Sequence, residues 1–271
     1  MRGYTGRHGG LLVLSGAELH GPGGDHHLLA YGIDRLPARG CIRGRIDDIN
    51  AQGGVAIAAH PCEIHGWLPG TRALRWKPGA WPGLAGVEVW NFMSQWKAGL
   101  DLFDLGRRLR DPRAFVGGPP AESVDFWREV GGCAVAGLDA HAFRIGLGRR
   151  RIEAFPYETM FGYLRTHLLM DPAVLRGAEP AERDLLDAMR RGCCFCSDAA
   201  LGDARGFRIL RRAGGIDAIL PGSAILSVST SAGTLYVPAA EGHLAVEVQG
   251  DEPLVVEALR EGRTWIWCAV F

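Results

Sequence analysis

The chain has 271 residues, with 30 Lys plus Arg against 30 Asp plus Glu, so its formal charge is zero. That balance argues against nucleic acid or an anionic membrane surface as the main partner, because both select a basic excess. At 47% hydrophobic the chain can bury one large core or two modest ones, and no apolar run approaches the roughly 20 residues that span a bilayer.

The apolar run at 11–14, ended by Ser15 and Gly16, is too short for the apolar segment of a secretory signal, so a cytoplasmic protein is expected. It is read as a strand, and the run at 28–33 as another. Ile42, Ile46 and Ile49 fall at i, i+4 and i+7 with Arg and Asp between them, which predicts an amphipathic helix. The wholly apolar run at 55–59 predicts a strand buried on both faces. Further strands are expected at 87–90 and 133–138. Trp96, Leu100 and Phe103, widened by Leu102, Leu105 and Leu109, predict one helix closed by Asp111-Pro112. A second is expected at 124–130 and a third carrying Met160, Leu164 and Leu168. Strands alternating with helices imply a parallel sheet or a β/α barrel.

Residues 171–180 carry Pro, Gly and charges and read as a linker, after which Pro180 suits the first turn of a helix bearing Leu185 and Met189. The period then changes to two: Leu226, Val228 and Thr230, then Leu244, Val246 and Val248, then Trp265 and Trp267. The organisation expected is a β/α unit over 1–170, a linker at 171–180 and a small antiparallel β-rich domain over 181–271. Trp265 and Trp267 share a face, which is either core or a carbohydrate-binding surface. The seven cysteines are odd in number and scattered, which does not read as a disulfide framework. Cys193-Cys194-Phe195-Cys196 has no second Cys or His pair at the distance of a zinc-finger site.

Polar residues stand where the apolar strands end. Glu18 follows the first, His60 follows 55–59, Glu88 lies within 87–90, and Asp139 and His141 follow 133–138. His26 and His27 precede 28–33. Strand C-terminal ends build the active sites of β/α barrels, and imidazoles with carboxylates gathered there are the makings of a hydrolytic metal site. In Asp139-Ala140-His141 the outer residues point the same way on an extended chain, so one strand end can grip one ion. No Gly-x-Ser-x-Gly elbow, Walker pattern or dinucleotide fingerprint is present.

Five segments in one order, Gly16-Ala17-Glu18, His27-Leu28-Leu29-Ala30-Tyr31-Gly32, Gly53 through His60-Pro61, Gly86-Val87-Glu88-Val89-Trp90-Asn91 and Gly137-Leu138-Asp139-Ala140-His141, resemble the PHP (polymerase and histidinol phosphatase) family of metallohydrolases. The Glu-Val-Trp-Asn element and the β tail are most similar to its carbaryl-hydrolase-type branch. The resemblance implies a distorted β/α barrel, divalent metal ions (Zn, Mn or Fe) and hydrolysis of a small-molecule phosphoester or ester-like substrate. It implies metal ligands at Glu18, His27, His60, Asp139 and His141. Glu88, Asn91, His65 and Arg144 are expected behind those ligands or facing substrate. Leu138 stands where the family has Ser. The family's opening His-x-His strand end and its Asp-His are absent upstream of Gly10, so the barrel is expected to lack its first strands. The alternative is a truncated or degenerate barrel serving as a non-catalytic binding or interaction module.

Overall fold

The computed structural model describes residues 5–21, 26–38, 40–67, 73–77, 79–147, 150–177, 179–249 and 254–270. A small hairpin, β1 (Gly6–His8) with β2 (Leu11–Val13), opens the chain. The central sheet has the order β3 (Gly16–His20), β4 (His27–Tyr31), β5 (Val55–Ala58), β6 (Gly86–Asn91), β7 (Cys133–Gly137). The first two pairings are antiparallel and the last two parallel. Every residue of β5 and β6 is buried, as continuous apolar strands covered on both faces should be. Helix α1 (Ile42–Ala51) buries Ile42, Ile46 and Ile49 on one face, the stripe that its periodicity demands. The crossover from β6 to β7 runs through α2 (Phe92–Lys97), α3 (Leu105–Arg110) and α4 (Ala121–Val130), and α4 buries Val124, Phe126 and Trp127.

After β7 come a hairpin of β8 (Phe143–Leu147) and β9 (Arg150–Ala154), the single turn α5 (Tyr157–Met160), β10 (Leu164–Leu168), α6 (Pro172–Gly177) and α7 (Glu182–Arg190). The remainder is β structure: β11 (Cys194–Asp198), β12 (Arg208–Arg212), β13 (Gly215–Leu220), β14 (Ala224–Thr230), β15 (Gly233–Ala239), β16 (Gly242–Glu247), β17 (Leu254–Arg260) and β18 (Arg263–Val270). Six strands form an antiparallel sheet in the order β10-β11-β18-β17-β14-β15, and β12-β13-β16 form a second sheet. Phe195, Phe207, Ile216, Leu226, Val228 and Trp265 pack together as their core. Trp265 and Trp267 are both buried but pack into different core clusters, across a register shift in the β17–β18 pairing, so they form no shared carbohydrate-binding face.

The two sheet systems meet at β7. Thr166 Oγ1 on β10 accepts from Ala136 N at 2.9 Å and donates to Ala136 O at 3.0 Å. The Cys194 and Cys196 thiols of β11 donate to Ala134 O at 3.2 and 3.4 Å. Trp127 meets Trp267 edge-to-face at 5.8 Å. Side chains from a neighbouring sheet thus satisfy the outer edge of β7, and among the described residues β7 does not pair with β3. The architecture is mixed α/β, and among the described residues the central sheet is open and five-stranded, so the β/α barrel expected from the strand–helix alternation is not shown. Residues 171–180 connect two strands, β10 and β11, that pair directly with each other.

Three local expectations change. The run at 11–14 belongs to the β1–β2 hairpin, with Leu11 exposed, so Glu18 stands inside the following strand, β3. The helix expected through 96–109 breaks after Lys97: Gly99 adopts φ +67°, and Leu102 and Phe103 point into solvent. The Met160, Leu164, Leu168 spacing is helical, yet Leu164–Leu168 is a strand, because pairing with β11 outweighs a local period. No helix among the described residues is long and apolar enough to cross a membrane.

Candidate metal centre

The site is assembled at one corner of the central sheet. In the β3–β4 pairing Glu18 lies opposite Leu29, which makes His27 its diagonal neighbour on the same face. His27 Nδ1 and Glu18 Oε1 are in direct contact. His60 is two residues beyond the end of β5, where Ala59 N still donates to His27 O at 3.0 Å. It takes φ +28°, an uncommon conformation for a side chain with a Cβ. This turn brings His60 Nε2 to 3.2 Å from His27 Nδ1 and 3.4 Å from Glu18 Oε1. One carboxylate oxygen and two imidazole nitrogens therefore face a common point.

Beneath them the polar groups are tied to backbone. Glu88 on β6 is buried; its Oε2 accepts from His60 N at 2.8 Å and from Asn91 Nδ2 at 3.0 Å. Asn91 Oδ1 in turn caps α2 by accepting from Ser94 N at 2.7 Å. At Gly137 an added Cβ would lie 1.7 Å from Glu88 Oε1, so only glycine leaves room for this carboxylate. Glu63 is buried too. Its Oε1 accepts from Ser94 Oγ at 2.8 Å and Lys97 Nζ at 2.7 Å, and its Oε2 from Leu74 N at 2.9 Å. Oε1 also lies 3.4 Å from His60 Nδ1. A second trio, His60, Glu63 and Asp139, shares His60 with the first, each offering one atom within 4.8 Å of the others. Asp139 sits at φ +51° just past β7.

Charge concentrates here. Hydrogen bonds from His27 and His60 hold the Glu18 carboxyl far below the usual range, against the opposing effect of burial. For His60 burial opposes the charged ring, but the Glu18 hydrogen bond and the carboxylates of Glu88, Glu63 and Asp139 prevail and raise it to about 9. Burial pushes Glu88 up to about 7, although His60 and Asn91 pull the other way. Burial also acts to raise Glu63, yet His60 and Lys97 hold it low. Four carboxylates thus act on one imidazole, and Lys97 is paired with Glu63.

These residues fit a divalent cation. An ion with bonds of roughly 2.0–2.1 Å separates tetrahedral ligand atoms by about 3.4 Å, close to the 3.2 and 3.4 Å separations that His60 Nε2 makes, while the closer contact of His27 with Glu18 would open to admit the ion. Imidazole nitrogen with carboxylate oxygen suits Zn, Mn or Fe. The far nitrogens, His27 Nε2 and His60 Nδ1, are buried without a hydrogen-bond partner, so the near nitrogens are the ones that a ligand ion can reach alongside Glu18.

Of the residues singled out in the sequence, the structure brings together Glu18, His27, His60 and Asp139, with Glu88 and Asn91 behind them. His141 is in neither trio: its half-exposed ring lies 3.4 Å from Asp139 Oδ1, contacts the Asp139 backbone oxygen at 2.6 Å and stacks on Phe143 at 5.3 Å. His65 is exposed and accepts from Ala73 N at 3.2 Å, tying down its own loop. The Arg144 side chain lies outside the described residues. Glu63, Ser94 and Lys97 were not anticipated. The only trace of Glu63 in the sequence is its i+3 spacing from His60, in a stretch without periodicity.

No family model matches the sequence, and neither does any curated protein. Among solved structures, one similar to this chain is a two-domain protein from Bacteroides vulgatus containing a predicted PHP-like metal-dependent phosphoesterase. It aligns over 96% of this chain and 76% of that one, at 12% identity and a TM-score of 0.44. A likeness of that degree carries no argument about activity.

Proposed function

We propose that the chain is a metal-dependent hydrolase of a small phosphoester or ester-like molecule, with a Zn, Mn or Fe ion held by Glu18, His27 and His60. The observation that carries this reading is the convergence of Glu18 Oε1, His27 Nδ1 and His60 Nε2 at a partly open corner of the sheet. When bound, such an ion supplies a Lewis acid and brings the pKa of water to about 7. The chain's own part is to hold the ligands rigid. Glu88 anchors the His60 backbone, and Asn91 locks Glu88 to the start of α2. Asp139 adds negative charge beside His60, which favours a cation and a polar, anionic substrate bound through it. The short Gly-Ala-Glu, Ala-His-Pro and Asp-Ala-His segments add the PHP resemblance to this reading.

The test is to strip the protein with chelator, restore Zn²⁺, Mn²⁺ or Fe²⁺ singly, and follow hydrolysis of p-nitrophenyl phosphate and bis-p-nitrophenyl phosphate. Turnover that requires metal and is lost in Glu18→Ala and His60→Ala supports the proposal. Metal binding without turnover of any mono- or diester would favour the non-catalytic binding module instead.

A further inference from the structure

Resting on that metal assignment, we propose that Glu63 is a positioning residue that fixes His60 with its Nδ1 protonated, leaving Nε2 as the metal-binding nitrogen. Two trios compete for His60. One joins His60 Nε2 to Glu18 and His27; the other joins His60 to Glu63 and Asp139, with Glu63 Oε1 at 3.4 Å from Nδ1. Their donor environments decide between them. Glu18 is about one-third exposed, and its ion pairs among the described residues are with the two imidazoles. Glu63 is almost wholly enclosed, and both its oxygens are engaged by Ser94, Lys97 and Leu74 N. A carboxylate held by an ammonium, a hydroxyl and a backbone N–H is a poor ligand for an additional cation and a good fixed acceptor. His60 Nδ1 is buried, has no hydrogen-bond partner, and faces Glu63 Oε1 at 3.4 Å. Metal-binding histidines characteristically donate their other ring N–H to a carboxylate, which sets tautomer and ring orientation.

The arrangement also explains what α2 contributes. Ser94 and Lys97 are three residues apart, on one helix face, and both reach Glu63 Oε1. The same helix is capped by Asn91, which holds Glu88 against His60 N. One short helix therefore fixes both the backbone and the far ring nitrogen of His60.

The experiment has two arms. In metal-free protein, long-range ¹H–¹⁵N spectra at a pH above the His60 titration report which ring nitrogen carries the proton. Calorimetric titration with Zn²⁺ alone then measures affinity in the wild type, E18A, E63Q and E63D. E63Q keeps size without charge; E63D keeps the charge for Lys97 but withdraws it from His60. We expect the Nδ1–H tautomer in the wild type, a mixture or the other tautomer in both Glu63 variants, and Zn²⁺ affinity reduced about 10- to 100-fold in both. Unchanged tautomer and affinity in a folded Glu63 variant overturn the proposal; if E63Q fails to fold, E63D decides. If E18A binds Zn²⁺ as the wild type does, the metal assignment itself has failed, whatever Glu63 does.

Discussion

Glu18→Gln keeps the size of the side chain and removes the charge on which two imidazoles converge. In the metal-free protein His60 is raised from 6.5 to about 9, which corresponds to about 3 kcal/mol in favour of its charged ring, at ~1.4 kcal/mol per tenfold. Burial works against that charge, and the Glu18 hydrogen bond is the largest contribution that favours it. A ring with a higher pKa folded than unfolded lends stability that is complete below pH 6.5 and is lost as pH rises through about 9. Glu18, held low by its hydrogen bond with His27 and then by that with His60, lends stability that is complete above its ordinary value of 4.5 and is lost as pH falls. The deficit of the variant is therefore greatest between about pH 5 and 6.5 and shrinks toward pH 9. Stripping a partner from a buried pair costs about 3–5 kcal/mol when the other charge is trapped. Here His60 can release its proton and Glu18 is partly exposed, so the expected loss at pH 6 is about 1–2 kcal/mol. Urea unfolding in EDTA at pH 6 and pH 9, with an NMR titration of His60, measures both quantities. An equal deficit at the two pH values, or an unmoved His60 titration, would refute the electrostatic account.

Gly137→Ala places a methyl on Glu88 Oε1; Glu88 must leave His60 N, and we expect weaker Zn²⁺ binding by calorimetry and a stability loss of about 1–3 kcal/mol. Thr166→Val strands Ala136 N and O at the edge of β7 and should cost about 1–3 kcal/mol in chemical denaturation, whereas Thr166→Ser, which keeps the hydroxyl, should stay near the wild type. Cleavage within 171–180 should leave two fragments that co-elute on gel filtration, because the β10–β11 ladder crosses the cut; spontaneous separation would contradict that pairing. His141→Ala should leave Zn²⁺ affinity essentially unchanged while His27→Ala weakens it, as measured by equilibrium dialysis.

The parts of the fold legible in the sequence are those where burial alone decides. Val55–Ala58 and Gly86–Asn91 read as strands because both faces are covered, and Ile42, Ile46 and Ile49 read as a helix because one face is. Where pairing decides, the pattern misleads. Leu164 and Leu168 carry a helical spacing into a strand held by β11. Closure of the central sheet depends on what occupies the edge of β7, and Thr166, thirty residues away, gives no hint of that role. At the site, Glu18, His27, His60 and Asp139 are visible as polar residues punctuating apolar runs. Glu63 is not, since its place is set by Lys97 and Ser94 on a helix that the sequence pattern merges into a longer one.

X-ray absorption on the Zn²⁺-loaded protein tests the central claim most directly. A shell of nitrogen and oxygen at roughly 2.0–2.1 Å is expected, with the multiple-scattering signature of two imidazoles in the wild type, falling to one in His27→Ala and in His60→Ala. A sulfur shell near 2.3 Å, which would place the ion among the cysteines, or a spectrum unaltered by both substitutions, would contradict it.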